Sequence, residues 1–264
     1  MNRRSNTLSF AWALLTTNLK AAAALRGAFV MQVAFMVLNN VTFFVFWWAL
    51  MRRVPEIRGW RLGDVQVLFG IVAAGFGATV TLAGGVRHLS RFIDDGELDT
   101  LLAQPQPVLL HALGLRLQAS GFGDLLSGVA FIAWSGQVSW RAAPLVLLAI
   151  AASALVILAC GIVFQSLAFW IGNVETVARQ LWELLITFAL YPEPLFGGAL
   201  RLALFTLLPA GFVGYVPARL ARQPTAALAM LVVGVAACYF VLAAAVFARG
   251  LKRYASGSRF GVHG

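Results

Sequence analysis

Residues 143–171 read APLVLLAIAASALVILACGIVFQSLAFWI, a run without one Asp, Glu, Lys or Arg. A helix needs about 20 predominantly apolar residues to cross the hydrocarbon core of a bilayer, and this run exceeds that length. A helix apolar on every face belongs in a large core or a membrane rather than on a soluble surface. Composition extends the reading to the whole chain: 61% of its 264 residues are hydrophobic and 11% are charged, against about 25% charged in soluble domains.

Working outward, apolar stretches at 28–50, 65–86, 108–134, 174–191 and 225–248 join 143–171 as six expected spans. The expected fold is an all-α membrane protein forming one domain over residues 1–264. Residues 1–27 carry Leu8, Trp12, Leu15 and Leu19 at helical spacing with polar residues between them, which predicts an amphipathic helix lying at the interface. The plainer reading is the frayed start of the first span. Arg3 and Arg4 precede a polar-interrupted stretch, unlike a cleaved signal peptide. The first span ends in Trp47–Trp48, as an aromatic belt would. In the second, Ala73, Gly77, Thr81 and Gly85 form a stripe of small residues suited to close helix packing. Between Asn173 and Gln223 two readings are open. One is a fifth span at 174–191 followed by a re-entrant or interfacial pair broken by Pro192, Pro194, Pro209 and Pro217. The other places the span at 199–214.

The net charge of +10 comes from eighteen arginines and two lysines against ten acids. These basic residues flank apolar runs, where they suit lipid headgroups rather than nucleic acid. With six spans both termini share a side, and its excess of Lys and Arg points to the cytoplasm. Cys160 and Cys238 lie inside apolar stretches, and His88, His111 and His263 have no paired carboxylates, so no metal site is expected. No GxSxG, HExxH or Ser/Lys pair suggests a hydrolase. No Gly-Lys pair occurs, so the chain has no P-loop. If ATP drives its work, ATP and magnesium are bound by another chain.

Residues 87–107 are the most polar internal segment. Val86, Leu89, Phe92 and Ile93 make an apolar face, with Asp94, Asp95, Glu97 and Asp99 beyond it. Gly96 permits a change of direction, Leu98, Leu101 and Leu102 offer a second apolar set, and Pro105 stops the element. Apolar anchors with acids for register fit a helix docked in a partner's groove; the plainer reading is a solvated loop. Within the spans, Glu175, Arg179 and Glu183 share one helical face, either as a gating network or as a lock that makes the helix insertable. Asp124, two turns from Arg116, is a candidate proton carrier or a structural hydrogen-bond partner.

Three stretches carry a resemblance. They are Arg91-Phe-Ile-Asp-Asp-Gly-Glu-Leu-Asp-Thr-Leu-Leu-Ala-Gln-Pro105; then Phe188-Ala-Leu-Tyr-Pro192 with Arg201 and Leu208-Pro-Ala-Gly-Phe-Val-Gly-Tyr-Val-Pro-Ala218; then Gly250-Leu-Lys-Arg-Tyr-Ala-Ser-Gly-Ser258. In this order they resemble the membrane subunits of ABC-2-type (ATP-binding cassette) exporters, in a six-span branch whose ATPase is separately encoded. The chain departs from that pattern at Ala255, where an acid is common, and at Gln104, where an arginine is. The resemblance implies a non-enzymatic permease of the bacterial cytoplasmic membrane, working as two identical or related copies with two ATPase subunits. It implies that Leu89, Phe92, Ile93, Asp94, Asp95, Gly96, Glu97, Leu98, Asp99, Leu102 and Pro105 couple to the ATPase. Tyr191, Pro192, Arg201, Pro209, Tyr215 and Pro217 would form an external gate. The expected substrate is hydrophobic, amphipathic or cationic (a drug-like molecule or a lipid), moved by alternating access. The aromatics Phe43, Phe44, Trp47 and Trp170 are compatible with it. The alternative is a proton-coupled secondary transporter using Asp124, Glu175 or Glu183.

Overall fold

Apolar periodicity without strand alternation leaves helices as the one way to satisfy backbone groups in lipid, and the computed structural model, which describes residues 3–254, is helical throughout. Side chains of residues 3–6 and 8, Leu8 among them, and the tail 255–264, with Ala255 and His263, lie outside the description. Helix α1 (Arg3–Ala24) is separated by Leu25 from α2 (Arg26–Arg53), and α3 follows at Leu62–Leu82. The short α4 (Leu89–Asp94) and α5 (Leu98–Leu102) precede α6 (Val108–Gly114) and α7 (Ser120–Trp134). Next come α8 (Ala143–Ser166), its continuation α9 (Ala168–Ile171) and α10 (Glu175–Ala189). The chain ends with α11 (Gly198–Thr206), α12 (Val216–Arg222) and α13 (Ala226–Arg253).

Hydrogen bonds and packing sort the connections to two ends. At one, Arg87 reaches Gln118, Ser90 reaches Gln165, and Phe169 packs on Phe247 and Tyr254. At the other, Arg222 reaches Asp64, Arg58 reaches Pro194, and Trp60 packs on Tyr215. The first is the α4–α5 end. Among the described residues four helices are long and apolar enough to cross a membrane: Arg26–Arg53, Leu62–Leu82, Trp140–Ile171 and Ala226–Arg253. A bent pair, Gly198–Thr206 with Gly211–Arg222, would make five.

The expectation of six uniform spans is corrected accordingly. The stretch 108–134 is two helices, interrupted near Arg116, where the Gln118 amide turns aside to donate to the Val80 carbonyl at 3.1 Å. The 15-residue α7 and the 15-residue α10 are each about 22 Å long, short of a ~30 Å core. The segment at 199–214 is not one straight span: it bends by 66°, and the chain on either side of it, Pro194 with Arg58 and Arg222 with Asp64, lies at the same end. Its tip lies level with the middle of α13, where the Tyr239 hydroxyl donates to the Thr206 carbonyl at 3.2 Å. Tyr239 is about 20 Å along α13, the depth at which a re-entrant pair would turn.

Buried on almost every side, α3 is the axis of the fold. A Cβ on Gly70 would lie 2.6 Å from the Gly128 carbonyl oxygen of α7, and one on Gly77 2.5 Å from that of Gly121. On the α8 side, a Cβ on Gly75 would lie 2.5 Å from the Ser153 hydroxyl. Lipid tails are as apolar as leucine, so backbone approach and van der Waals contact drive such packing. Of the small stripe read from sequence, Gly77 and Gly85 serve close approach, while Ala73 packs in an aromatic cluster with Phe44, Phe69 and Phe131. Against the α4–α5 end lies α1: Phe10 meets His111 edge-on at 5.0 Å, and Asn18 donates to the Gly114 carbonyl at 2.6 Å. Trp12 and Leu19 face outward on the other side of α1.

Candidate functional site

The polar segment after α3 is built on glycine. A Cβ on Gly85 would overlap the Ala112 carbonyl oxygen, and one on Gly84 would lie 2.7 Å from that of Arg116. The chain therefore crosses α6 at backbone contact before α4 begins. Leu89, Phe92 and Ile93 of α4 and Leu98 and Leu101 of α5 are all buried in the chain's own core. Between the two helices Gly96 takes φ +78°, a left-handed conformation that glycine adopts without cost. The elements thus form a folded hook.

That burial corrects one expectation. Leu89, Phe92, Ile93 and Leu98 are not free anchors for a partner, because a side chain packed inside its own subunit offers no surface. The hook's outer surface carries Asp95, Glu97, Thr100, Leu102, Gln104 and Pro105, with Asp94 and Asp99 half-buried. Leu102 is its apolar member, 44% exposed.

Partners distant in sequence hold the hook in place. The Ser90 amide donates to the Gln165 side chain at 3.3 Å, and the Asn173 amide donates to Asp94 at 3.2 Å. Arg91 donates to Glu175 at 3.1 Å, and Glu175 also lies 3.9 Å from Arg179. Burial, then repulsion from Asp95 and Glu175, pushes the Asp94 carboxyl above its ordinary range, although the Asn173 amide opposes this. Burial, then the guanidinium groups of Arg116, Arg91 and Arg87, holds the His88 imidazole below its ordinary value, with Glu175 opposing. Nothing local in the sequence pointed to Gln165 or Asn173.

The charges singled out within the expected spans lie in two places. Glu175 and Arg179 join Arg91 at the α4–α5 end. Asp124 belongs to a different helix interface, where the Asn40 amide of α2 donates to it at 2.8 Å. Arg116 does not reach Asp124; it lies in the break between α6 and α7, with its guanidinium 6.0 Å from the Phe92 ring. Glu183 has no ion pair among the described residues and opens onto a concavity of about 270 Å³ with Phe76, Arg87, Trp182, Ile186 and Thr187. Phe76 and Trp182 lie 5.5 Å apart there, and Arg87 sits 5.7 Å over the indole. Burial pulls the Arg87 guanidinium below its ordinary value, opposed by Glu183.

The polar face of α10 points away from the bundle. Trp182, Leu185 and Ala189 are buried against α3 and α8, whereas Arg179, Gln180, Glu183 and Thr187 are exposed.

At the opposite end the structure brings together the residues expected at a gate. Tyr191 packs edge-on to Trp47 at 5.7 Å and Phe43 at 6.3 Å. Pro192 starts a short turn in which buried Glu193 pairs with Arg201. Pro209 lies at the break of the bent pair, a π-helical turn over Gly211–Tyr215 follows, and Pro217 sits in the first turn of α12. Among the described residues no group of three His, Cys, Asp or Glu side chains could hold a metal ion.

The sequence matches the family model described as "ABC-2 family transporter protein" over residues 37–258. No curated protein matches the chain.

Proposed function

The chain belongs to the ABC-2 transporter family, and we propose that it is the permease subunit of an ATP-driven exporter. Permeases of this kind are non-catalytic membrane components, and ATP and magnesium would sit on a separate ATPase. The α4–α5 hook would dock on that ATPase through Asp95, Glu97, Leu102 and Pro105. Glu175, Arg179 and Arg91 would tie the hook to α10, so that closure of the ATPases moves α10. Six passages, with α6–α7 and α10 as the short ones, would place both termini and the hook in the cytoplasm and the re-entrant pair outside.

The single observation that carries this reading is the outward polar face of α10. Glu183 is about 12 Å along that helix, and a carboxylate at such depth cannot face lipid cheaply. It must face water or protein. A second permease copy set against α10 and α3 would enclose an aqueous path along this face, lined by the Phe76–Trp182 concavity. Its aromatic walls, edged by Glu183 and Arg87, suit an amphipathic organic molecule, and alternating access would follow from the rocking of the two copies.

The test uses inside-out vesicles holding the chain and its ATPase, with an amphipathic fluorescent dye as probe. Uptake should require ATP, vanish when the ATPase catalytic glutamate is replaced, and survive an uncoupler. Uptake that persists without the ATPase but is abolished by an uncoupler would instead establish proton coupling.

A further inference from the structure

At the end opposite the hook, Gly59, Trp60, Tyr215, Arg219, Arg222 and Gln223 enclose a concavity of about 190 Å³. Both of its walls are built. One is a two-residue turn in which Ile57 and Trp60 exchange backbone hydrogen bonds of 2.9 and 3.0 Å. Arg58 and Gly59 between them take φ +48° and +86°, the pair of left-handed residues that a type I′ turn requires. This turn sets Trp60, 6% exposed, as an aromatic floor against Tyr215. The other wall is the face of α12 and the turn before it, where positions 215, 219, 222 and 223 recur at helical spacing.

The charges in this concavity are not balanced from within. Asp64 is fully used: one oxygen takes Arg222 at 2.5 Å and the other accepts the Arg61 amide at 2.8 Å. Held there, Arg222 lies 5.6 Å over the Trp60 ring. Arg219 is exposed and has no ion-pair partner among the described residues. The nearby acids are engaged elsewhere: Glu56 by Arg61, and Glu193 by Arg201 and by the Tyr215 hydroxyl, which donates to it. Every basic residue at this end (positions 52–61, 141 and 201–222) is arginine, while both lysines, Lys20 and Lys252, belong to elements of the hook end. A lysine would serve equally well to neutralise a surface; a guanidinium fork differs in grasping two oxygens of one phosphate. The site also stands beside the first turn of α3, where a membrane helix enters the headgroup layer.

We propose that this concavity is an anion site for a phosphate group. Arg219 is its principal ligand, and Arg222, oriented by Asp64, its second. Gln223 supplies a further donor, and Trp60 shields the site from below. The same chemistry fits an anionic phospholipid headgroup or a free phosphate. Either would clasp the bent pair to the start of α3. This inference rests on the chain being a membrane protein and does not depend on how transport is driven.

The experiment uses the full chain in nanodiscs of phosphatidylcholine, with and without phosphatidylglycerol, and separately with inorganic phosphate. Bound lipid is counted by native mass spectrometry, and thermal stability is followed alongside. Phosphatidylglycerol should be retained and should raise the melting temperature; Arg219→Ala and Arg219→Lys should each weaken retention about tenfold while keeping the unliganded melting temperature. Protection by inorganic phosphate alone, lost in the same variants, would assign a soluble phosphate instead of a lipid. If neither probe binds, or if Arg219→Ala and Arg219→Lys bind as the parent does, the site is overturned.

Discussion

Two substitutions in the hook, Phe92→Ala and Leu102→Asp, separate its internal packing from its docking surface. Phe92 is 2% exposed, packed in one core with Leu89 and Leu98, so truncating it costs about 3–5 kcal/mol. Leu102 is 44% exposed, and replacing it changes the subunit's own stability by no more than about 0.5 kcal/mol. If the ATPase covers that exposed part, roughly 80 Å² of apolar surface at about 25 cal/mol per Å² is about 2 kcal/mol, or ~30-fold in affinity. The assay is titration of the nanodisc-embedded chain with its ATPase, paired with hydrogen exchange over residues 84–103. Phe92→Ala should lose protection throughout the hook and lose binding with it. Leu102→Asp should keep parental protection and lose binding about 30-fold. Parental affinity in a protected Leu102→Asp variant would refute the assigned docking surface. Labelling of an Asp95→Cys variant from outside intact cells would refute the orientation itself.

Two further outcomes are expected. His88 is held below its ordinary value of 6.5 by burial and then by nearby guanidinium groups. Its neutral form therefore contributes stability that is complete above about pH 6.5 and is lost as pH falls through the lower folded value. Protection of the hook against hydrogen exchange, taken relative to the intrinsic rate at each pH, should fall as pH drops below about 6.5, and His88→Gln should flatten that response. Asp124 accepts from Asn40 between α2 and α7, so Asp124→Ala should destabilise the protein by about 1–3 kcal/mol in thermal or denaturant unfolding. Asp124→Asn, which keeps a carbonyl acceptor, should transport normally, whereas a proton carrier at this position would be inactivated by the same change.

Much of the architecture was written in local order along the chain. Runs such as 143–171 read as membrane helices, because an unbroken apolar run without strand alternation satisfies its own backbone in lipid as a helix. Pro192, Pro194, Pro209 and Pro217 marked the segment that turns back, and Gly96 marked the reversal between α4 and α5. The i, i+4, i+8 spacing of Glu175, Arg179 and Glu183 put them on one face, since helical period is a local property. Which of two apolar faces meets a partner is not local, and there the sequence alone was misleading. Leu89, Phe92, Ile93 and Leu98 have the composition of a docking surface, yet the subunit's own core takes them, because α8 and α6 reach them first. Arg179 and Glu183 share a face, but only packing decided that Glu175 would turn to Arg91, 84 residues earlier in the chain. Asp124 and Asn40 likewise met through the close approach of helices around α3. Helix formation follows from neighbours in sequence; the choice of partners for buried and charged groups follows from which surfaces the assembled bundle leaves free.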